Sequence, residues 1–391
     1  MPDEIVFSRP YRAAAELPNL ERVLRSDHSH GDGPFTASAT GRLRDLTGAD
    51  AALLTTSCTH ALEMAMLLLQ VGPGDEVVLP SFTFTSAATA VVSRGATPVF
   101  VDVEGFTGNI DAGRLAEAIG PRTKAVTVMH YGGAPVDLEA VLAVTQDAGI
   151  ALVEDNAHGL VGRAGRPGTA LGERILGTVG TLGTQSFHDT KNVHCGEGGA
   201  LLVNDPELFE RAEVIREKGT NRARFLRGQV DKYTWQDQGS SYLPSELNAA
   251  VLDAQLAEFG TIQAGRERVW NHYARELAEW ADEGGVHLMS HGDGPHAAHL
   301  FFAVMRDHDE QQQLIRHLAG LGVRAAFHYV PLHLSPAGTR YGRSVGSLER
   351  TEQFSSRLVR LPLWPGLDDG QVERVTAAVR AFRPERARLT Q

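Results

Sequence analysis

The chain has 391 residues, 42% of them hydrophobic and 22% charged, which is the balance of an ordinary folded protein and too much length for a single core. Its 48 acidic residues outnumber 37 basic ones, for a formal charge of −11, which argues against general binding to nucleic acid or to an anionic membrane but leaves room for a local basic pocket. Two cysteines, Cys58 and Cys195, are too few for a disulfide framework and fit a reducing cytoplasm.

In chain order, MPDEIVFSRPYRAAAELPNL is acidic and lacks a long apolar run, so it does not read as a signal peptide. No later stretch reaches the roughly 18 apolar residues that span a bilayer. A cytoplasmic protein is expected. From about residue 50 to 205, short apolar runs read as strands: AALLT, EVVLP, TPVFVDV, KAVTVMH, IALVED, GTQSFH and GALLVND. They show little polar alternation, as strands buried on both faces should. Helical stretches such as THALEMAMLLLQ and DLEAVLAVTQDAG lie between several of them, which predicts crossover units and a mainly parallel sheet. The helix from about Thr59 to Gln70 is apolar almost all round and should be buried against that sheet. Residues 206–237 give a charged helix and then a long basic and aromatic loop, which reads as an ordered functional segment. After SSYLPSEL a helical pattern runs to about Asp282. A smaller α+β region follows, with AHLFFAVMR, a helix over about 309–320, and VRAAFHYV. No repeats or low-complexity tracts interrupt the chain.

Neither the G-x-G-x-x-G fingerprint nor the G-x-x-x-x-G-K-[ST] phosphate loop is present, so dinucleotide and nucleoside triphosphate chemistry lose ground. Four other features can converge at the carboxyl ends of such a sheet. Ser57, Cys58 and Thr59 precede a buried helix and could form an anion site or an ordinary cap. Glu154 and Asp155 end a buried strand, where a carboxylate needs a partner, although Asp155 could also cap the next loop. Phe82 and Phe84 follow a strand and divide between core packing and stacking on a planar ligand. Lys191, in SFHDTKN, could form a Schiff base, with Ser186 in reach of a phosphate on the same ligand. One cofactor uses all four features, pyridoxal 5′-phosphate, whose aldehyde is held by a lysine and whose ring nitrogen is kept protonated by an acid.

GPGDEVVLPSFTFTSAATAVVSRGATPVFVDV, VMHYGGAPVDLEAV, VEDNAHG, SFHDTKN, GEGGALLVND and PSELNAAVLDAQL together resemble the DegT/DnrJ/EryC1/StrS sugar aminotransferases. IREKGTNRARFLRGQVDKYTWQDQGSSYLPSEL and VRAAFHYVPLHLSPAG are similar to the branch of dTDP-4-amino-4,6-dideoxygalactose transaminases. The resemblance implies a fold type I pyridoxal phosphate-dependent transferase. Its large cofactor-binding domain, residues 1–250, would hold a mixed, mainly parallel seven-stranded sheet between helices. A smaller C-terminal α+β domain would cover 251–391. It further implies that Lys191 carries the aldehyde and Asp155 pairs with the ring nitrogen. His158 would lie by the ring hydroxyl, Phe84 on the ring, and Cys58, Thr59 and Ser186 at the phosphate. Many members add an Asn from the neighbouring subunit in a GYN-like stretch. Here GSSYL stands at that place, with Leu243 near it, so Ser240 or Ser241 would have to substitute. A homodimer with the active site at its interface is expected. Because Lys191 is retained, the related dehydratases, in which His replaces the lysine, are disfavoured.

The implied reaction takes an amino group from L-glutamate, stores it as pyridoxamine 5′-phosphate, and delivers it to C4 of a dTDP-4-keto-6-deoxy-hexose for an antibiotic or an envelope glycan. Arg222, Arg224, Arg227 and Lys232 supply positive charge for the nucleotide diphosphate, against the alternative of a solvated loop face. Tyr233 and Trp235 could pack on the base or anchor the loop. His130, Tyr131, His328 and Tyr329 are candidate contacts to the sugar. Two alternatives are an aminotransferase acting at C3 and a protein that binds the cofactor or sugar nucleotide without turnover. His287, His291, His296 and His299 lie close in sequence, but Gly and Pro break the stretch, and no metal is expected.

Overall fold

The computed structural model describes residues 4–291 and 294–385. The large sheet is built from β1 (Ala52–Thr55), β2 (Glu76–Pro80), β3 (Thr97–Val101), β4 (Thr123–Met129), β5 (Ala151–Asp155), β6 (Leu182–Ser186) and β7 (Gly199–Val203). A three-stranded sheet holds β8 (His287–Leu288), β9 (Phe301–Val304) and β11 (Leu358–Leu361), and β10 (Arg343–Ser344) joins the large one. The large sheet runs β1-β7-β6-β5-β4-β2-β3-β10. Within it β7 is antiparallel to both neighbours and the other pairings are parallel. The seven apolar runs are thus the first seven strands. The sheet has an eighth because two exposed residues from the C-terminal region add at its edge, Arg343 opposite Val99. That pairing satisfies backbone groups without burying side chains, so it leaves no hydrophobic pattern.

Successive residues of the central strands enter different cores, which is why those strands read as continuous apolar runs. Val77, Ala125 and Val153 pack with Leu62, Met64 and Ala65, whereas Val78, Val126 and Leu152 pack with Leu115, Leu138 and Val141. Helix α1 (Glu16–Leu24), helix α2 (Pro34–Thr47) and helix α3 (Cys58–Leu68) come from the N-terminal part. As expected, α3 is buried, and Ser57 caps it by accepting the His60 amide at 3.1 Å.

The helical stretch expected to run to Asp282 consists of Glu246–Ala257, Phe259–Glu276 and Ala278–Gly284. A division at residue 250 falls inside the first of these, where Ala249 and Ala250 pack with Val23 of α1 and Phe35 of α2. The next helix begins in the core of the large sheet with Phe259 and Ile262 and carries Val269, Trp270 and Tyr273 into the core of the small sheet, so the change of layer comes within it. That small-sheet core also takes in Phe82, Met129 and Tyr131 from the carboxyl ends of β2 and β4. Among the described residues no helix is long and apolar enough to cross a membrane.

Candidate active site

A cavity of about 560 Å³ opens where the carboxyl ends of β5 and β6, the start of α3 and the small sheet meet. Such a volume suits a cofactor or small-molecule substrate. Its wall includes Cys58, Thr59, Phe84, Asp155, His158, Ser186, Lys191, His328 and Tyr329. Nine of the residues singled out by sequence therefore share one site.

The strand alternation settles which carboxylate serves it. Glu154 points away and is saturated by His130 Nε2 at 2.9 Å and the amides of Gly177, Val179 and Gly180 at 2.9, 2.7 and 2.6 Å. Burial alone would raise its carboxyl, but His130 and these amides outweigh that and hold it below the usual range. Asp155 faces the cavity, and among the described residues its carboxylate accepts only the Ala157 amide, at 3.1 Å. Burial raises its carboxyl above the ordinary value, against the pull of that amide, Lys191 and His130.

Lys191 is carried by the turn after β6, its own amide donating to His188 O at 2.8 Å. Burial lowers its amine to about 8, with the Asp155 carboxylate opposing the shift. Asn192 anchors this turn by donating to Ala297 O at 2.6 Å and meeting His299 Nδ1 at 2.8 Å. Beside the amine, His158 stacks on His299 with centroids 4.2 Å apart and accepts the Gly132 amide at Nδ1, 3.3 Å away. Burial and the Lys191 charge keep the His158 ring neutral.

One end of the cavity is formed by the first turn of α3. β7 lies hard against it, since a Cβ on Gly199 would come within 2.4 Å of Cys58 N and of the Ser57 carbonyl carbon. Only glycine allows that approach. Burial raises the Cys58 thiol, so it stays protonated, and it donates to Thr184 Oγ1 at 3.5 Å. Of the two phenylalanines, Phe82 is wholly buried, whereas Phe84 is 52% exposed and turns its ring to the cavity.

Six of the candidate residues lie elsewhere. His130 is fully buried behind the site, held by Glu154 and by the Val136 amide at its Nδ1. Tyr131 is also fully buried, and its hydroxyl meets His328 Nδ1 at 2.8 Å, so it supports a cavity residue without lining the cavity. Arg227 is engaged by Glu213 through two bonds of 2.7 Å. Ser240 is exposed and uses its backbone to pair with Lys218 and Ile215. Lys232 is exposed on the basic loop, and Arg222 lines a separate depression with His30, Lys218, Ser241 and Leu243. None of these loop residues reaches the cavity of its own chain.

The structure adds Arg266, His299 and Arg360 to the wall. His299 stood in the histidine-rich stretch, but only the fold brings it to His158 and Asn192. Arg360 lies in an ordinary apolar strand whose sequence carries no sign of a site. A sequence profile of the DegT/DnrJ/EryC1/StrS aminotransferase family matches residues 10–380.

The chain belongs to this aminotransferase family. It is 31% identical over 382 residues to the spore coat polysaccharide biosynthesis protein SpsC of Bacillus subtilis (strain 168), covering 96% of each chain. Among solved structures it resembles the aminotransferase TlmJ of Streptoalloteichus hindustanus, with 34% identity, a TM-score of 0.86, and 97% and 98% of the two chains covered. DesV of S. venezuelae, solved in complex with a ketimine intermediate, is 32% identical with a TM-score of 0.82 over 94% of both chains. DegT/DnrJ/EryC1/StrS aminotransferases depend on pyridoxal 5′-phosphate. The cavity fits that group by its own chemistry, with a low-pKa lysine, an acid with spare acceptor capacity, an aromatic ring turned inward and a helix start in one chamber.

Proposed function

We propose that this enzyme transfers an amino group from L-glutamate to C4 of a dTDP-4-keto-6-deoxy-hexose, giving a dTDP-4-amino-4,6-dideoxy-sugar. The observation that carries the reading is the placement of Lys191, with its lowered pKa, in the same cavity as Asp155 and the start of α3. The choice of C4 rests on the similarity of the GTNRARFLRGQVDKYTW loop and the FHYVPLHLSPAG segment to the C4-acting branch.

Bound pyridoxal 5′-phosphate supplies an aldehyde that can hold the migrating nitrogen and a ring that accepts electrons. Lys191 would hold the aldehyde, and Asp155 would keep the ring nitrogen protonated. The amides and hydroxyls of Ser57, Cys58 and Thr59, with Ser186, would take the phosphate at the positive end of α3. Phe84 would cover the ring and His158 would stand by its hydroxyl. Once free, the Lys191 amine takes the proton from the donor's Cα, and in the second half-reaction it returns one to C4 of the sugar. Its lowered pKa leaves a useful fraction unprotonated near neutrality.

The basic loop is read as serving the cavity of a second copy. Arg222, Lys232 and Ser240 do not line their own, and Trp235 of the same loop is 78% exposed. The enzyme is therefore proposed to be a homodimer of the cytoplasm. Sedimentation of fully active enzyme as a single chain would contradict the dimer. To test the substrate, enzyme loaded with cofactor is given L-glutamate and, separately, dTDP-4-keto-6-deoxy-glucose or its 3-keto isomer, with products identified by mass and NMR. Amination of the 4-keto sugar alone is expected. Amination of the 3-keto isomer would move the assignment to C3, and no aminosugar from either would reject the reading.

A further inference from the structure

β11 brings Arg360 to the wall of the active-site cavity. Its guanidinium lies over the Phe7 ring, with Cζ 4.7 Å from the centroid, and Nη2 donates to Phe327 O at 2.8 Å. The Nε–H is buried and has no acceptor among the described residues. Among the described residues no carboxylate pairs with this cation. Arg266, the second arginine on the cavity, has its Nε and Nη2 taken up by the carbonyls of Ala298 and His299.

A partly buried guanidinium with an open hydrogen-bonding edge is an incomplete site, because desolvated charge needs a counter-ion. The planar fork of Nε and its neighbouring amino group matches a carboxylate through two parallel bonds. The cofactor's phosphate already has its place at the start of α3. Arg360 instead belongs to the end of the cavity formed by His299, His328 and Tyr329, and its charge helps to lower Lys191, His158, His299 and His328.

We infer that Arg360 is the receptor for a carboxylate of the amino donor. The inference rests on the aminotransferase reading above and extends it to the residue that selects amino acids as donors. Either carboxylate of glutamate, α or γ, has the required chemistry.

The test follows the donor half-reaction spectroscopically in the cofactor-loaded enzyme, with L-glutamate or L-glutamine, in wild type, Arg360→Gln and Arg360→Lys. Arg360→Gln is expected to raise the apparent Kd for glutamate about 30-fold or more, as loss of a buried charged partner does, and Arg360→Lys to recover part of the loss. If the α-carboxylate is bound, glutamine suffers equally. If the γ-carboxylate is bound, glutamine is already a poor donor and is insensitive to the substitution. Calorimetry with glutarate, a dicarboxylate that cannot react, should show the same weakening without turnover. Should Arg360→Gln not fold, Arg360→Lys must still weaken glutarate several-fold. Unchanged affinity for glutamate and glutarate, or a defect confined to the ketosugar half-reaction, would overturn the inference. Wild-type enzyme that converts with no amino acid would instead reject the aminotransferase reading itself, so the two failures are distinguishable.

Discussion

Lys191 shows how one residue's chemistry is set by its surroundings. In water its amine would titrate near 10.5, but burial brings it to about 8 against the opposing pull of Asp155. The sign has two consequences. A larger share of the amine is free near neutrality, which favours attack and proton transfer. The folded state releases this proton more readily than the unfolded one, so stability gains as pH rises from about 8 to 10.5 and loses that contribution below. The chain has only four lysines, Lys124, Lys191, Lys218 and Lys232, which makes the shift measurable. Labelling of the cofactor-free protein with an amine-selective reagent, read by peptide mass, should give a midpoint near 8 for Lys191. A midpoint near 10.5 would refute the burial argument.

At the scale of elements, the end of the cavity proposed for the phosphate depends on how closely β7 presses on the first turn of α3. Gly199→Ala would place a methyl group 2.4 Å from Cys58 N, and neither strand nor helix can yield without disturbing the other. We predict a loss of about 1–3 kcal/mol of stability, the usual range for overpacking. Cofactor affinity should fall with it, because the amides of Ser57 to Thr59 shift. Thermal melts with and without pyridoxal 5′-phosphate check both, and a variant that melts and binds as wild type does would contradict the argument. The strands and α3 were legible in the sequence because burial on both sheet faces writes continuous apolar runs. β10 was not, since an exposed two-residue pairing leaves no such mark. His130 and Tyr131, expected at the sugar, follow β4. Sequence shows that they end a strand but not that Glu154 and His328 hold them there.

At the scale of the whole molecule, the site is a junction. The large sheet contributes Asp155, Ser186 and Lys191, and the small one brings Arg360, with His299 just before β9. The lysine and aspartate could be found in sequence because each ends a recognisable strand or starts its turn. The contributions of the small sheet could not, because they depend on tertiary packing across more than a hundred residues of chain. For the same reason the sequence could mark the basic loop as charged and aromatic but not its distance from its own cavity. The central claim is that Lys191 in this junction moves nitrogen from an amino acid to a ketosugar. Its most direct test gives cofactor-loaded enzyme ¹⁵N-labelled L-glutamate and dTDP-4-keto-6-deoxy-glucose, beside the Lys191→Ala variant. The account predicts ¹⁵N bonded to C4 of the sugar with wild type and none with Lys191→Ala. Label appearing at C4 with Lys191→Ala as fast as with wild type, or at no carbon of the sugar with wild type, would contradict it.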